Sequence, residues 1–432
     1  MATEQIATSP IDGNDSHLYS SKIPTVLPYS FLCLRKDKTY TKEEEKDLPK
    51  TESPTYLNSQ EIHKLIFSNK AAILTNLGIG INREIGQIEF LNVEEDKQVT
   101  STMLKMITKL GKNVVTLNLV NFSLPCELFE PRSDVDRNIE FARILSSPLL
   151  KASKTADKIE RIKLVSANLV GSGYLFLRAK KAMNPYLGET CQATLEDGTD
   201  LCCEQISHHP AITSFYFTGP QKAFVAYGSY CFVGNFRITH AILSLGFQMT
   251  IRFIDGHEIK VLRRPNIKIT GIVQGSRKIF FKGCQEIIDI SEGTRSVIFF
   301  DIGEKKHIIG SSKTVSRDCV EGLVYSSTDI SKPIDEKIRR ISELKDIKKE
   351  IARMKGSWFE RVDINEINYW HIDKHLPLKM IFHPNPLPSD WRFREDLLFI
   401  RRKDIPRADA WKEACEIRQR KDKTLREESK KK

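Results

Sequence analysis

Residues 211–233 read AITSFYFTGPQKAFVAYGSYCFV. Two runs rich in β-branched and aromatic residues are separated there by a short turn that contains Gly219 and Pro220. Similar runs with Gly-containing turns recur between about residues 168 and 328: FQMTIRFIDG, IKITGIVQG, KIFFKG and SVIFFDIG. Because parallel strands need long crossover connections, strands joined by short turns favour antiparallel pairing. The sequence therefore predicts a large antiparallel sheet or barrel.

Helical periodicity flanks this region. Residues 101–120 begin as a short amphipathic helix that ends near Gly111. Its apolar positions form one stripe: Met103, Met106, Ile107 and Leu110. A second helical region follows residues 131–132 and extends to about residue 164, with a break or kink at Pro148.

A third helix is predicted over residues 333–355, with Pro333 in its first turn and Gly356 at its end. Its apolar residues recur at three- and four-residue steps: Ile334, Ile338, Ile341, Leu344, Ile347, Ile351 and Met354. Such a stripe is typical of a packing face, although it would also suit a partner surface. The segment 407–428 is predicted to form a charged helix.

The chain has 432 residues and a formal net charge of +11. Residues 401–432 carry thirteen Lys or Arg and seven Asp or Glu, which is a net charge of +6. A basic balance favours an anionic partner, either nucleic acid or an anionic membrane, but a solvated tail has the same composition. Because acids interrupt the basic residues and aromatics are not interleaved, we expect no nucleic-acid partner.

The first 60 residues are polar, with Ser, Thr, Pro and a charge run, and are predicted to be mostly disordered. The N-terminus, MATEQIATSP, lacks the features of a secretory signal, and no run approaches 18 apolar residues. The nine cysteines include no C-x-x-C pair, which favours free thiols in a reducing cytosol.

The stretch EQISHHPAITSFY, residues 204–216, places His208 and His209 side by side before Pro210. Proline restricts the preceding residue to extended conformations, which is consistent with a loop that enters a strand. Two imidazoles at such a loop can donate N–H groups to one anion. The same pair could instead serve a metal site or a hydrolase, but the motifs of neither occur. Two half-buried histidines satisfied by backbone groups remain an equal alternative.

Two further stretches carry cations. KKAMNPYLGET, residues 180–190, places Lys180 and Lys181 before a turn, and the alternatives are a cationic lip or solvated lysines. RADAWKEACEIRQR, residues 407–420, spaces Lys412, Glu416 and Arg420 by four, so that a helix presents them on one face. That face is either a ladder of salt bridges or a pair of cations aimed at a phosphate.

Together, these three stretches resemble the oxysterol-binding protein family of lipid-transfer domains. The family pattern runs close to K-P-F-N-P-x-L-G-E-T, then E-Q-x-S-H-H-P-P, and later K-x3-E-x2-Q-R. Segments between these anchors also resemble the family, and coverage extends over about residues 100–421. These segments are SLPCELFEPRS, KIERIKLVSANLVGSGY, ITGIVQGSRKIFFKGCQEI, KGSWFERV and LPSDWRFRED.

This resemblance implies a mostly β fold with flanking helices: a large, near-closed antiparallel barrel around a lipid tunnel, with an N-terminal lid. The implied organisation is a largely disordered extension, a lipid-binding domain and a basic tail, at residues 1–97, 98–425 and 426–432. Within the domain, the lid, the barrel and a C-terminal helical part are expected at about 100–122, 168–328 and 329–425. Met103, Met106, Ile107 and Leu110 would belong to the lid.

The resemblance further implies binding of phosphatidylinositol 4-phosphate and its exchange between membranes for a second lipid, a sterol or alternatively phosphatidylserine. His208, His209 and Arg420 would hold the 4-phosphate. The other implied head-group residues are Lys181, Asn184, Lys412 and Glu416. Leu187 would line the tunnel mouth. No catalytic residue, cofactor or metal is expected, because no bond is made or broken.

A phosphoinositide sensor or scaffold that moves no second lipid is the competing hypothesis. In either case we expect a cytoplasmic protein that associates peripherally with anionic membrane surfaces. Ala182-Met183 and Ala211 depart from the family pattern and loosen the backbone near the head group. The segment EFLNVEE, from Glu89 to Glu95, loosely resembles a motif that docks on VAP receptors of the endoplasmic reticulum, although an ordinary amphipathic segment is the more common explanation.

Overall fold

The computed structural model describes most of the chain from residue 79 onward. The described residues are 79–82, 87–90, 92–109, 117–118, 123–177, 180–208, 210–236, 240–272, 277–302, 307–308, 311–312 and 317–429. The predicted disorder of the first 60 residues lies outside these ranges.

The centre of the fold is one large antiparallel sheet. Its long strands follow one another in chain order. They are β6 (Thr190–Leu195), β7 (Asp200–Ser207), β8 (Ile212–Thr218), β9 (Phe224–Phe236), β10 (His240–Phe253), β11 (Glu258–Arg263), β12 (Asn266–Thr270), β13 (Lys278–Asp289), β14 (Thr294–Phe300), β17 (Cys319–Ser327), β18 (Ile347–Ser357), β19 (Arg361–Ile364), β20 (Ile367–His371) and β21 (Met380–Phe382).

Short strands complete the fold. They are β1 (Ile79–Asn82), β2 (Gln87–Phe90), β3 (Leu117–Asn118), β4 (Phe129–Ser133), β5 (Lys181–Met183), β15 (His307–Ile308) and β16 (Ser311–Ser312). β1 and β2 form a hairpin that joins β13, where Ile88 lies opposite Ile279. This hairpin lies within residues 1–97, for which the prediction is a largely disordered extension. Its backbone groups are satisfied by pairing with the sheet, and local composition does not reveal such a distant partner.

Alternating burial explains how the strands form a core. In β7 the side chains of Leu201, Cys203 and Gln205 are buried while their neighbours are exposed. Residues 224–236 of β9 pair without interruption with residues 241–253 of β10. The inward faces meet in one large apolar cluster. The mostly β, antiparallel fold class predicted from the short-turn strand pattern is confirmed.

The sheet curls back on itself. Among the strand pairings of the described residues, β20 pairs only with β19 and β21 only with β6, so these two strands are the edges of the series of long strands. Only residues 372–379 connect the two edges, which limits the distance between them. Helices pack at this opening, and Arg143 Nε donates to Leu378 O at 2.6 Å. The outcome is an almost closed barrel.

The helices are α1 (Val93–Lys109), α2 (Asp134–Asn138), α3 (Ala142–Ser153), α4 (Lys158–Gly171), α5 (Glu395–Arg401) and α6 (Ile405–Ser429). α1 contains residues 101–109 of the predicted amphipathic segment and begins before it, at Val93, and α6 contains the predicted charged helix. The region predicted as helical from residue 131 to about 164 divides into α2, α3 and α4, with Pro148 inside α3. None of the described helices combines the length and the apolar character needed to cross a membrane.

The prediction of a helix over residues 333–355 is wrong. Residues 347–357 form β18, which pairs with β17 on one side and β19 on the other. A helix there would leave the backbone groups of both neighbouring strands without partners. The expected C-terminal helical part, 329–425, therefore contains four strands, and the sheet extends past residue 328.

The apolar residues that suggested this helix still pack, but in an extended chain. Ile334 and Leu344 are buried against the outer face of the sheet, in a second cluster that includes Phe299 and Leu323. A buried ion pair beneath them joins Arg295 to Glu286, whose carboxylate accepts the backbone N–H of Ile334 at 3.1 Å. The three- and four-residue spacing therefore reflects tertiary packing rather than a helix face.

Gly171 at the end of α4 provides a test of this packing. A Cβ atom there would lie 2.1 Å from Trp370 of β20, so Gly171→Ala must displace a fully buried indole. We expect Gly171→Ala to lower the free energy of unfolding by about 1–3 kcal/mol. Urea denaturation measures this change. Lys151→Ala on the exposed side of α3 is the control, and a similar loss in both variants would contradict the close contact.

Candidate functional site

The candidate site is built from β5, the loop that follows it, and α6. Lys181 is the first residue of β5, and its ammonium donates hydrogen bonds to Asn184 Oδ1 and, at 3.1 Å, to the carbonyl of Ala182. The same ammonium lies 5.6 Å above the ring of Phe129 in β4. The side-chain hydrogen bond between Lys181 and Asn184 thus spans the start of the loop that the sequence predicted as a cationic lip.

The three residues spaced by four lie on one face of α6. Lys412 Nζ is 2.8 Å from Glu416 Oε1, and Arg420 Nη1 is 4.0 Å from Glu416 Oε2. Ser123 accepts a hydrogen bond from Lys412 and donates to Glu416 at 3.3 Å. Lys412 is buried, whereas the Arg420 side chain is 62% exposed. Glu416 therefore holds one buried cation and leaves the other reaching into solvent.

Electrostatics connect these two groups of residues. Lys181 is exposed at its surface but crowded by protein atoms, and this partial desolvation lowers the pKa of its ammonium. Asp134 and Glu130 act in the opposite direction, while the positive charges of Arg394 and Lys412 lower the pKa further. Because like charges repel, an anion that binds beside these cations would relieve their repulsion. Water screens part of the effect at an exposed group.

The histidine turn lies at the same end of the sheet as the loop after β5. Gly188 N donates to Gln205 O at 2.8 Å, and Gln205 N donates to Glu189 O at 2.9 Å. His208 follows three residues after Gln205 and is half-buried in the turn between β7 and β8. His209 lies outside the described residues. Backbone pairing thus connects the strand that leads to His208 to the loop that begins with Asn184.

The loop itself follows the predicted turn chemistry. Gly188 has φ +83°, in the left-handed region that glycine adopts without strain. Leu187, the predicted tunnel-mouth residue, precedes it in this turn and is half-buried.

Of the predicted lid residues, Met103 and Met106 are half-buried on α1. Leu110 and the side chain of Ile107 lie outside the part of the chain that the structure describes.

A buried ionic network anchors the loop. Glu189 accepts hydrogen bonds from Ser133 Oγ, from Tyr186 N at 2.8 Å and from Arg394 Nη1 at 3.0 Å. Arg394 also binds Asp396, with Nη2 at 2.6 Å from Oδ2, and donates to the carbonyl of Asn184 at 2.8 Å. Arg394, Glu189 and Asp396 are almost completely buried. The network therefore fastens the loop that carries Asn184 to the start of α5.

Burial and pairing oppose each other in this network. Burial raises the pKa of the Glu189 carboxyl to about 7, and Arg394 counteracts it. Burial disfavours the charge of Arg394 too, but Asp396 and Glu189 outweigh it and place the pKa of the guanidinium above its ordinary value. Pairing outweighs burial for the pKa of Arg394 because its guanidinium faces two carboxylates. Burial outweighs pairing for the pKa of Glu189 because Glu189 shares its one cation with Asp396.

Sequence reasoning missed four residues that organise the site: Ser123, Glu189, Arg394 and Asp396. Glu189 stands in the motif L-G-E-T, and Arg394 and Asp396 stand in LPSDWRFRED, so both stretches had been noticed as resemblances. Their contact joins residues about two hundred positions apart, which no local pattern reveals.

Removing Arg394 should destabilise the protein strongly. Arg394→Met leaves two buried carboxylates without their cation, and breaking a buried pair in this way costs about 3–5 kcal/mol of unfolding free energy. Arg353→Met removes a guanidinium from an exposed pair with Glu350, for which we expect less than about 1 kcal/mol. Urea denaturation of both variants checks this, and equal losses would contradict the anchoring role.

Comparison with known proteins places this chain in a family. The oxysterol-binding protein profile matches residues 106–432. Oxysterol-binding protein 9 of Dictyostelium discoideum is 28% identical over 344 residues, which are 78% of each chain. An oxysterol-binding protein-like protein, OBPa, of Candida albicans is 27% identical over 265 residues, which are 59% of this chain and 58% of that protein.

Solved structures share the fold. The Osh3 ORD of Saccharomyces cerevisiae in complex with PI(4)P superposes with a TM-score of 0.56 at 19% identity, covering 75% of this chain and 84% of the other. The Osh1 ORD domain in complex with ergosterol gives 0.58 at 20% identity, covering 78% and 89%. With the profile match spanning most of the sequence, the chain belongs to the oxysterol-binding protein family.

Proposed function

We propose that the protein binds phosphatidylinositol 4-phosphate and exchanges it for a second lipid, a sterol, between membranes. The observation that carries the head-group assignment is the pair of cations Lys412 and Arg420 on Glu416, together with Lys181, whose pKa is lowered by desolvation and further by the positive charge of Lys412. Lys181 and Lys412 lie near enough to repel each other, and a phosphate between them would relieve that repulsion. Relatives of the same fold were solved with PI(4)P, cholesterol and ergosterol.

In this proposal each residue has a distinct role. Arg420 and the histidines 208 and 209 hold the 4-phosphate, and the exposed guanidinium of Arg420 can turn toward it. Lys181 and Asn184 bind the inositol phosphate from the loop side, and Lys412 binds it from α6. Glu416 orients Lys412 and Arg420, and Leu187 lines the tunnel mouth.

A tunnel explains how a lipid crosses water without reaction. A lipid tail exposed to water costs about 0.8 kcal/mol per CH₂ group. A barrel that encloses the tails therefore removes most of the free-energy barrier to the lipid leaving a membrane. One tunnel cannot hold two lipids, which makes binding competitive and allows exchange. No bond is made or broken in this cycle, so we propose a carrier rather than an enzyme, acting at cytoplasmic membrane surfaces to which it binds peripherally.

The proposed function does not include docking of the segment Glu89–Glu95 on a VAP receptor. Phe90 is buried at the end of β2, beneath the guanidinium of Arg277 at 4.7 Å from its ring. Glu95 lies in the first turn of α1. Docking on a VAP receptor through this segment would require both elements to unfold.

Lys412→Met tests the head-group site. The substitution keeps most of the buried stem and removes the ammonium, and a hydrogen bond to a charged group contributes about 1.5–3 kcal/mol. We expect extraction of phosphatidylinositol 4-phosphate from liposomes to weaken about tenfold or more, with sterol binding unchanged. Lys348→Met on the exposed face of β18 is the matched control. Equal extraction by both variants would contradict the assignment.

His208→Ala combined with His209→Ala should abolish this extraction while the fold survives, as judged by circular dichroism. The control is His383→Ala, because His383 is exposed and is not one of the proposed head-group residues.

A transfer assay separates the competing functions. An exchanger moves sterol, or alternatively phosphatidylserine, against the phosphoinositide between two liposome populations. A sensor binds the phosphoinositide and moves neither. Mass spectrometry of lipids that co-purify with the protein identifies the second ligand.

A further inference from the structure

A short segment on the outer face of the sheet carries a charge pattern that the proposed lipid site does not use. Residues 339–342 read RRIS. The chain contains three Arg-Arg pairs, at residues 263–264, 339–340 and 401–402, and only the pair at 339–340 has a serine or threonine two positions after it. Protein kinases select substrates by charge, and two cations shortly before a serine fit a kinase cleft lined with carboxylates. The sequence therefore nominates Ser342 as a phosphate acceptor, and its surroundings decide whether a kinase can reach it.

Ser342 is available as a nucleophile. It is exposed at the centre of a short 3₁₀ turn, Ile341–Glu343. Within the described part of the chain its hydroxyl makes no hydrogen bond. By contrast, the hydroxyl of the nearby Ser331 donates to Asp329 Oδ1 at 2.6 Å. A reaction at Ser342 therefore breaks no hydrogen bond of its hydroxyl to another described residue.

The two arginines before this serine are exposed and weakly held. Arg340 Nε lies 3.3 Å from Glu343 Oε1, and the two side chains are 65% and 41% exposed. The guanidinium of Arg339 donates to main-chain carbonyls of its own segment, among them Ile338 O at 3.0 Å. Because exposed ion pairs contribute little to stability, both cations can turn toward a kinase at small cost.

The surrounding segment, residues 329–346, is named the strap and is anchored near both ends. Near its start the buried Glu286 of β13 accepts the backbone N–H of Ile334 at 3.1 Å. At its end Asp346 Oδ1 accepts the hydroxyl of Tyr325 of β17 at 2.8 Å. These contacts fix the strap to two neighbouring regions of the sheet.

The middle of the strap, residues 335–343, is held less firmly. Its hydrogen bonds to described residues stay within the strap. Ile338 and Ile341 are only partly buried against the second apolar cluster. A cleft of about 420 Å³ lies beneath, and its lining includes Glu343 of the strap and Arg295 of β14. Because the middle shares no backbone ladder with the sheet, it can lift away locally while both ends stay bound.

We propose that Ser342 is a phosphorylation site for a protein kinase that selects arginines two and three residues before its serine. In this reaction the hydroxyl oxygen of Ser342 bonds to the γ-phosphorus of a nucleoside triphosphate. The bond from that phosphorus to the β–γ bridging oxygen breaks, a nucleoside diphosphate leaves, and the hydroxyl proton passes to the carboxylate base of the kinase. The site lies on the outer face of the sheet and does not rest on the proposed lipid function.

The phosphate would change the local ion pairs. A phosphoserine carries a charge of about −1.5 to −2 and three strong acceptor oxygens. In the unmodified protein Glu343 pairs with Arg340 and accepts the backbone N–H of Arg339 at 2.7 Å. A phosphate on the adjacent residue repels this carboxylate and competes with it for both arginines. The middle of the strap therefore loses the contacts that close its turn.

Phosphorylation of the full-length protein tests the site. The probe is the catalytic subunit of the cAMP-dependent protein kinase with ATP and Mg²⁺, because this enzyme selects serines that follow two arginines. We expect phosphate on Ser342, located by tandem mass spectrometry of a digest. Ser342→Ala should lose this label, whereas Ser331→Ala, which removes another exposed serine of the strap, should keep it.

The role of the arginines is tested by the rate. Arg340→Gln should lower the kcat/KM of the kinase for the folded protein about tenfold or more, because a hydrogen bond between charged groups is lost. Lys345→Gln is the matched control, since it removes an exposed cation after the serine and should leave kcat/KM nearly unchanged. Equal losses in the two variants would contradict selection through the upstream arginines.

Hydrogen exchange measures the consequence for the strap. After phosphorylation we expect amides 339–344 to exchange at least about tenfold faster, with the amides of β18 unchanged. Unchanged exchange of amides 339–344 would contradict the displacement of Glu343. The site itself is overturned if the folded protein takes up no phosphate on Ser342 while a synthetic peptide of residues 335–346 does, or if neither does.

Discussion

The buried contact of Arg394 with Glu189 and Asp396 is the constraint on which the site depends. The proposed head-group residues come from three parts of the chain: β5 with the loop after it, the histidine turn between β7 and β8, and the helix α6. Arg394 fastens the loop to the start of α5, because it binds Glu189 and the carbonyl of Asn184 and lies directly before that helix. Buried charges persist only when they are paired, so this contact tolerates little variation in geometry.

The sheet places this contact at one end of the barrel. Backbone hydrogen bonds between residues 188–189 and Gln205 bring the histidine turn to the same end. The helix α1 is attached through Glu95 to Lys180 and through Asp96 to Arg277. The proposed head-group residue Lys181 therefore directly follows a residue that pairs with α1.

Much of the architecture could be predicted because its signals are local. Gly-containing turns between β-rich runs indicated the antiparallel sheet, and the spacing of Lys412, Glu416 and Arg420 indicated their common helix face. The segment 333–355 shows the limit of such reasoning. Its apolar period suits a helix, yet the neighbouring strands β17 and β19 need a strand between them to pair their own backbone groups, and the buried Glu286 accepts the backbone N–H of Ile334. The hairpin at residues 79–90 was missed for the same reason, because its partner strand is two hundred residues away.

The sequence by itself determined the antiparallel sheet, the helical character of α1 and α6, and the residue types of the proposed phosphate site, because backbone propensity and side-chain spacing act over a few residues. Only the tertiary structure decided which residues meet. It brought Ser123 between Lys412 and Glu416, buried Glu189 against Arg394, and paired Asp96 of α1 with Arg277. The physical reason is that the strength of an ion pair depends on burial and on the distance between its atoms. Both quantities are set when distant segments pack, and neither is encoded in any single stretch of the chain.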